Sequence, residues 1–201
     1  MSPDQVFQLV QFIVTEDLLY SLTENIHRLP FEARKDTQSI ISNVLRFKQP
    51  ADSTGDPVAL QYVISTRPEI IIALCNGYDR RESAMPCGGI LKEALKHDAV
   101  TALILYDEPE GPPLDLGSID TDQPSTGNGV FWRFFEWIDK SLFEVSTDAF
   151  DTFRVCLSVP RATTRRNLIL DPSKFSSGTS PWCPSTLIPI SICSLTSTTM
   201  S

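Results

Sequence analysis

Prolines stand at the heads of short, helix-periodic apolar segments again and again in this chain. Pro30, Pro57 and Pro68 each precede a stretch whose apolar residues recur at helical spacing. Proline suits the first turn of a helix, where its missing amide forfeits no hydrogen bond. Before the first of them, residues 3–14 carry Val6, Phe7, Leu9, Val10, Phe12, Ile13 and Val14 on most faces of a helix. Such a helix is expected to be buried on more than one side. Asp17 is placed to cap or open the next segment, where Leu18, Leu19, Leu22 and Ile26 keep the period. From Pro30 to about Phe47 the apolar set is Phe31, Ala33, Ile40, Ile41, Val44, Leu45 and Phe47, and the other face is polar.

Residues 49–56 read as a loop. Pro57 then starts a helix with Leu60, Tyr62, Val63 and Ile64, and Pro68 one with Ile70, Ile71, Ile72 and Leu74 that ends near Gly77. Glu82 to Lys96 reads as a helix, its start pushed later if Pro86 sits in the first turn. Gly88-Gly89 inside it costs helix stability, roughly 1 kcal/mol per glycine relative to alanine. The pair is read as permitting close helix packing rather than binding phosphate. Val100–Tyr106 is apolar enough for a strand, but its helical neighbours favour a helix. Residues 107–130 form a Pro/Gly/Asp-rich insertion without period. An aromatic helix follows with Phe131, Trp132, Phe134, Phe135, Trp137 and Ile138, and a last one from about Val145 to Leu157.

Groups of two or three helices thus recur about every 40 residues (17–47, 57–96, and 99–106 with 131–157), the range of armadillo and HEAT units. The expected fold is all-α: a partial armadillo/HEAT-like helical-repeat solenoid, with one row of helices on an inner face.

Charge and composition change at about residue 158. Residues 1–157 hold 13 basic and 24 acidic residues; residues 158–201 hold four and one, together with 17 Ser/Thr and five prolines. The division expected is therefore a helical body, 1–157, and a poorly structured tail, 158–201. A net charge of −8 argues against nucleic acid and anionic membranes as partners, because both select cationic surfaces. No run of about 18 apolar residues is present. Asp4 and Glu16 flank the first apolar stretch, which lacks a basic start and a small-residue cleavage site, so it does not read as a signal peptide. Five cysteines at irregular spacing fit free thiols in a reducing compartment, and a cytoplasmic location is expected.

Catalytic and metal patterns are thin. His27 and His97 are the two histidines, in no triad or metal spacing. Cys75, Cys87 and His97 lack the paired cysteines and fourth ligand of a zinc site. Glu108 and Glu110 read as solvated charge. Gly127-Asn128-Gly129 reads as a turn, because neither a preceding strand nor a Lys-Ser/Thr accompanies it. The aromatic run 131–137 reads as core rather than a base-stacking platform, and Asp79-Arg80-Arg81-Glu82 as a solvated turn. Neither a cofactor nor a small-molecule substrate is expected.

A family resemblance rests on dense, ordered matches. Leu29-Pro30-Phe31-Glu32-Ala33-Arg34-Lys35-Asp36 with Ile41-Ser42-Asn43-Val44-Leu45-Arg46, then Leu74-Cys75-Asn76-Gly77-Tyr78, resembles the mouse-protein-25 (calcium-binding-protein-39-like) family of scaffold proteins. The likeness continues through Cys87–His97, Phe134–Asp139 and Phe143–Phe153, covering about residues 5–157, and the inserted loop resembles the fungal branch. The resemblance implies a non-catalytic helical-repeat rod that clamps a Ste20-type (germinal-centre) kinase or pseudokinase in its active shape. In fungi it implies a role in polarity, morphogenesis and conidiation. It also implies a longer protein, with a helical segment before this region and further repeats after it that carry the pocket for a partner's Trp-containing tail. The change at residue 158 is accordingly expected to reflect a shifted frame, a retained intron or a truncated gene model, and the helical stack to end on an exposed apolar face.

In repeats of this type the last helix of each unit lines the inner groove. The candidate partner-binding residues are therefore the polar positions Arg34, Lys35, Gln38, Asn43 and Arg46 of the 30–47 helix, and Lys92, Glu93 and Lys96 of the 82–97 helix. A non-functional fragment of the scaffold, an unrelated helical adaptor and an enzyme are the alternatives to a kinase scaffold.

Overall fold

The computed structural model describes residues 2–48, 57–109, 126–140 and 142–158. The expected tail, the 49–56 loop, most of the insertion, and Glu110, Cys183 and Cys193 lie outside the described residues, apart from Ser158. All regular structure among the described residues is helical: α1 (Pro3–Thr15), α2 (Leu18–Asn25), α3 (Phe31–Arg46), α4 (Val58–Ser65), α5 (Glu69–Asn76), α6 (Arg81–Ala94), α7 (Asp98–Leu105), α8 (Val130–Ile138) and α9 (Phe143–Ser158), with 3-10 turns at Ile26–Arg28 and Gly77–Asp79.

The packing is that of three stacked units. Helix α1 packs on α4 and α4 on α7; α2 packs on α5 and α5 on α8; α3 packs on α6 and α6 on α9. Each helix therefore meets its counterpart one unit along, the arrangement that lets a solenoid bury a continuous core. Helix α1 completes the first unit, which spans 3–46 rather than starting at residue 17. The first two helices of the central unit bury their apolar residues deeply. Leu60 and Val63 of α4 and Ile70, Ile71 and Leu74 of α5 are at most 2% exposed. A 90° bend separates α4 from α5, and no single helix among the described residues is long and apolar enough to cross a membrane.

Local sequence sets most helix ends. Ser2 and Gln5 form a capping box on α1: the Ser2 hydroxyl accepts from the Gln5 amide, and the Gln5 side chain accepts from the Ser2 amide. Pro30, Pro57 and Pro68 occupy the position just before the first helical residue rather than the first turn itself. Asp17 precedes α2 in a left-handed conformation, φ 51°, without capping it. Its carboxylate instead accepts hydrogen bonds from Tyr62 (2.6 Å) and from Arg67. Contacts 45 and 50 residues away thus hold a backbone conformation that disfavours most side chains.

Helix α6 corrects one expectation. It begins at Arg81, and Pro86 lies inside it rather than in its first turn. An interior proline withholds an amide from the carbonyl four residues earlier, here that of Glu82. That carbonyl instead accepts a hydrogen bond from Arg34 Nη1 of α3 at 2.6 Å. A guanidinium from the neighbouring unit replaces the missing donor, and the helix continues. Replacing Arg34 with Met is expected to cost about 1 kcal/mol. The same substitution in a Pro86→Ala background should cost measurably less, since the restored amide then serves the carbonyl. A double-mutant cycle by urea unfolding checks this.

Candidate partner-binding face

The row α3–α6–α9 is held by two polar seams. At the α3–α6 seam the Arg34 bond lies near the two helix starts, and Arg46 meets Glu93 (3.2 Å) near their ends. The two helices therefore run side by side in the same direction. Glu93 also accepts from Lys96 at 2.7 Å, so one carboxylate serves two cations. At the α6–α9 seam Asp148 is the hub. It pairs with Lys92 and accepts from the Tyr78 hydroxyl at 2.7 Å. Thr152 Oγ1 lies 2.7 Å from the same hydroxyl. With the Tyr78 proton directed to a carboxylate, Thr152 is left to donate. Burial, reinforced by the Asp148 charge, pushes the Tyr78 phenol far above its ordinary value, so it stays a donor.

The glycine pair explains why these seams close. A Cβ on Gly88 would fall 2.5 Å from the Tyr78 hydroxyl and still nearer the Asp148 carboxylate, and one on Gly89 would overlap the end of Gln38. Close packing is the role the sequence indicated for this pair.

The eight candidate residues divide. Gln38 lies against Gly89; Arg34, Lys92 and Glu93 bond within the stack. Lys35, Asn43, Arg46 and Lys96 are exposed. Lys35 pairs with Glu32 at 3.2 Å and lies 5.4 Å from the Phe31 ring centroid. Phe31, Ile40 and Met85 correct the apolar reading of their helices, because all three face outward, as do Leu9, Phe12, Leu18, Phe135 and Phe150. In α3 the core side is Thr37, Ile41, Val44 and Leu45. Phe31 falls on the stripe of Lys35 and Gln38 instead.

Sequence reasoning missed the groups that pin the third unit. Asp79 lies in an exposed turn, as expected, but its carboxylate is engaged. It accepts from Arg133 (2.7 and 2.8 Å) and from Trp137 Nε1 (2.8 Å), and Lys140 Nζ lies 3.6 Å away. Burial pushes the Asp79 carboxyl up, but the Trp137 and Arg133 hydrogen bonds and the charges of Arg133 and Lys140 outweigh it. The net result lies below the ordinary value of 3.8. A carboxyl lowered on folding contributes stability above its unfolded pKa and loses that contribution as pH falls through the folded one. Asp79→Asn should therefore lower the melting temperature at pH 7, with the gap to the unaltered chain closing as the pH falls below the ordinary carboxylate value and through the lowered folded one. Thermal melts across that range check the sign. Glu108 is also engaged: it accepts from the Thr126 amide at 3.0 Å, while Asp107 accepts from the Val130 amide at 2.8 Å. The two ends of the insertion meet at the start of α8. Gly127, at φ 81°, supplies the turn expected there.

Cys75, Cys87 and Cys156 are buried thiols that form no disulfide. Burial pushes the Cys75 thiol well above its usual range and Cys87 up to about 12, the setting of an inert core thiol rather than a reactive one. Among the described residues no group of three or more His, Cys, Asp or Glu is placed to hold a metal ion.

A family model described as Mo25-like matches residues 1–178, past residue 157, where the resemblance read from the sequence stops. The chain is 55% identical over 159 residues to the conidiophore development protein hymA of Emericella nidulans, covering 78% of this chain and 41% of that protein. Against MO25-like protein 2 of Caenorhabditis elegans the identity is 32% over 151 residues, 75% of this chain and 37% of the other. Against the calcium-binding protein 39-like of Mus musculus it is 27% over 155 residues, 77% and 38% respectively. The chain spans about two fifths of the length of these curated relatives.

Proposed function

Because this chain belongs to the Mo25-like family, we propose that it is a non-catalytic scaffold whose body, residues 1–157, docks a protein partner on the α3–α6–α9 row. The partner class is a Ste20-type kinase or pseudokinase, as the resemblance implies, acting in the fungal polarity, morphogenesis and conidiation setting and in the cytoplasm. The observation that carries the reading is the stacked row itself. Three successive third helices share one side of the molecule, and polar seams hold them in register. A scaffold of this kind acts by binding the active conformer of the kinase more tightly than the inactive one. A difference of about 1–3 kcal/mol raises the active population roughly 5–150-fold. Pull-down of a purified Ste20-type kinase by the full chain, with a phosphorylation assay, tests the reading. Binding with increased turnover is the expected result. Binding without activation would leave an adaptor, and no binding would remove the kinase reading.

A further inference from the structure

Two outward apolar residues lie on the same face as the exposed cations. Phe31 is 65% exposed and Met85 47%. Phe31 shares a stripe of α3 with Lys35, one turn on; Met85 lies early in α6, and Lys96 in the turn just past its end. Since α3 and α6 lie side by side with their starts together, the apolar residues stand towards one end of the face, and Arg46 and Lys96 towards the other.

The charge balance of this face differs from that of the whole chain, which is net −8. Glu93 is the shared carboxylate of Arg46 and Lys96 and is only 14% exposed, whereas those cations are 60% and 63% exposed. One positive charge is left over, directed outward. Exposed aromatic and long apolar side chains beside cations have the composition of a binding hot spot rather than of an idle surface.

Resting on the scaffold reading above, we infer that the α3–α6 face docks an acidic amphipathic segment of the partner. Its apolar side chain packs on Phe31 and Met85, and its carboxylates lie against Arg46 and Lys96, Lys35 being matched by Glu32. Such a segment is repelled by the acidic remainder of the chain and accepted here, so charge selects both the partner and the face.

The test measures affinity of the full chain for a purified Ste20-type kinase catalytic domain by calorimetry, with melts confirming that each variant folds. Phe31→Ser is expected to weaken binding about tenfold or more. Phe12→Ser, equally bare on α1 at 62% exposure, should leave binding unchanged. Replacing Arg46 and Lys96 together by Gln should weaken binding at low salt and flatten its ionic-strength dependence. Binding that all these variants retain within twofold overturns this inference and leaves the scaffold reading standing. No binding by the unaltered chain overturns both. Self-association of the chain in sedimentation, abolished by Phe31→Ser, would mark the face as an interface between copies and also overturn the inference.

Discussion

Gly88→Ala is expected to destabilise the chain by roughly 2–4 kcal/mol, although alanine is the better helix former by about 1 kcal/mol. The added methyl would occupy the space where the Asp148 carboxylate and the Tyr78 hydroxyl meet. Asp148 is only 11% exposed and Lys92 32%, so separating them strands a buried carboxylate rather than releasing it to water. Either α9 moves off α6 or the Tyr78–Asp148–Thr152 network breaks. Gly89→Ala provides the contrast. The atoms in its way are the amide end of Gln38, with Cδ at 2.7 Å, and a flexible side chain can swing aside. Its effect should lie between nil and a gain of about 1 kcal/mol. Urea unfolding of both variants separates the two cases. Equal effects would mean that the seam does not depend on close approach of α6 and α9.

Trp137→Ala should cost about 3–5 kcal/mol. The ring is fully buried, 5.0 Å from Phe134 and 5.5 Å from Tyr78 by centroid, and its indole donates to Asp79. Truncation opens a large void between α8 and the Gly77–Asp79 turn. It also removes one of the donors that hold the Asp79 carboxylate. Trp137→Phe fills most of the void and loses only the hydrogen bond, for about 1 kcal/mol. A midpoint in urea that falls steeply for Ala and slightly for Phe is the expected pattern. Similar losses for the two would assign the effect to the Asp79 bond rather than to packing.

The parts of this fold legible in the sequence are those set by local spacing. Helix-periodic apolar runs placed the helices, and prolines marked where three of them begin. The aromatic run 131–137 reads as core, and Phe131, Phe134 and Trp137 are buried, whereas Phe135 faces outward. The glycine pair was recognisable as a close contact. What local spacing could not supply was any partner distant in sequence. Pro86 reads as a first-turn proline until Arg34, 48 residues away from Glu82, supplies the donor missing inside the helix. Asp17 reads as a helix cap until Tyr62 and Arg67 take its carboxylate. Asp79 reads as unpartnered surface charge until Arg133 and Trp137 donate to it. Phe31 shows the converse. Hydrophobicity placed it in the core, whereas its angular position, on the stripe of Lys35, turns it outward.

The candidate face was legible to the same extent. The last helices of the units do form one packed row, α3 on α6 and α6 on α9. Which side chains remain available on it depends on pairing across the seams. Arg34, Lys92 and Glu93 are committed to bonds within the stack, and only the geometry shows that Lys35, Arg46 and Lys96 are the cations left outward.

Hydrogen–deuterium exchange of the full chain, alone and saturated with a Ste20-type kinase catalytic domain, tests the central claim most directly. New protection is expected along α3 and α6, with α1, α4 and α7 unchanged. Protection confined to the α1–α4–α7 row, or exchange indistinguishable between the free and saturated chain, would contradict it.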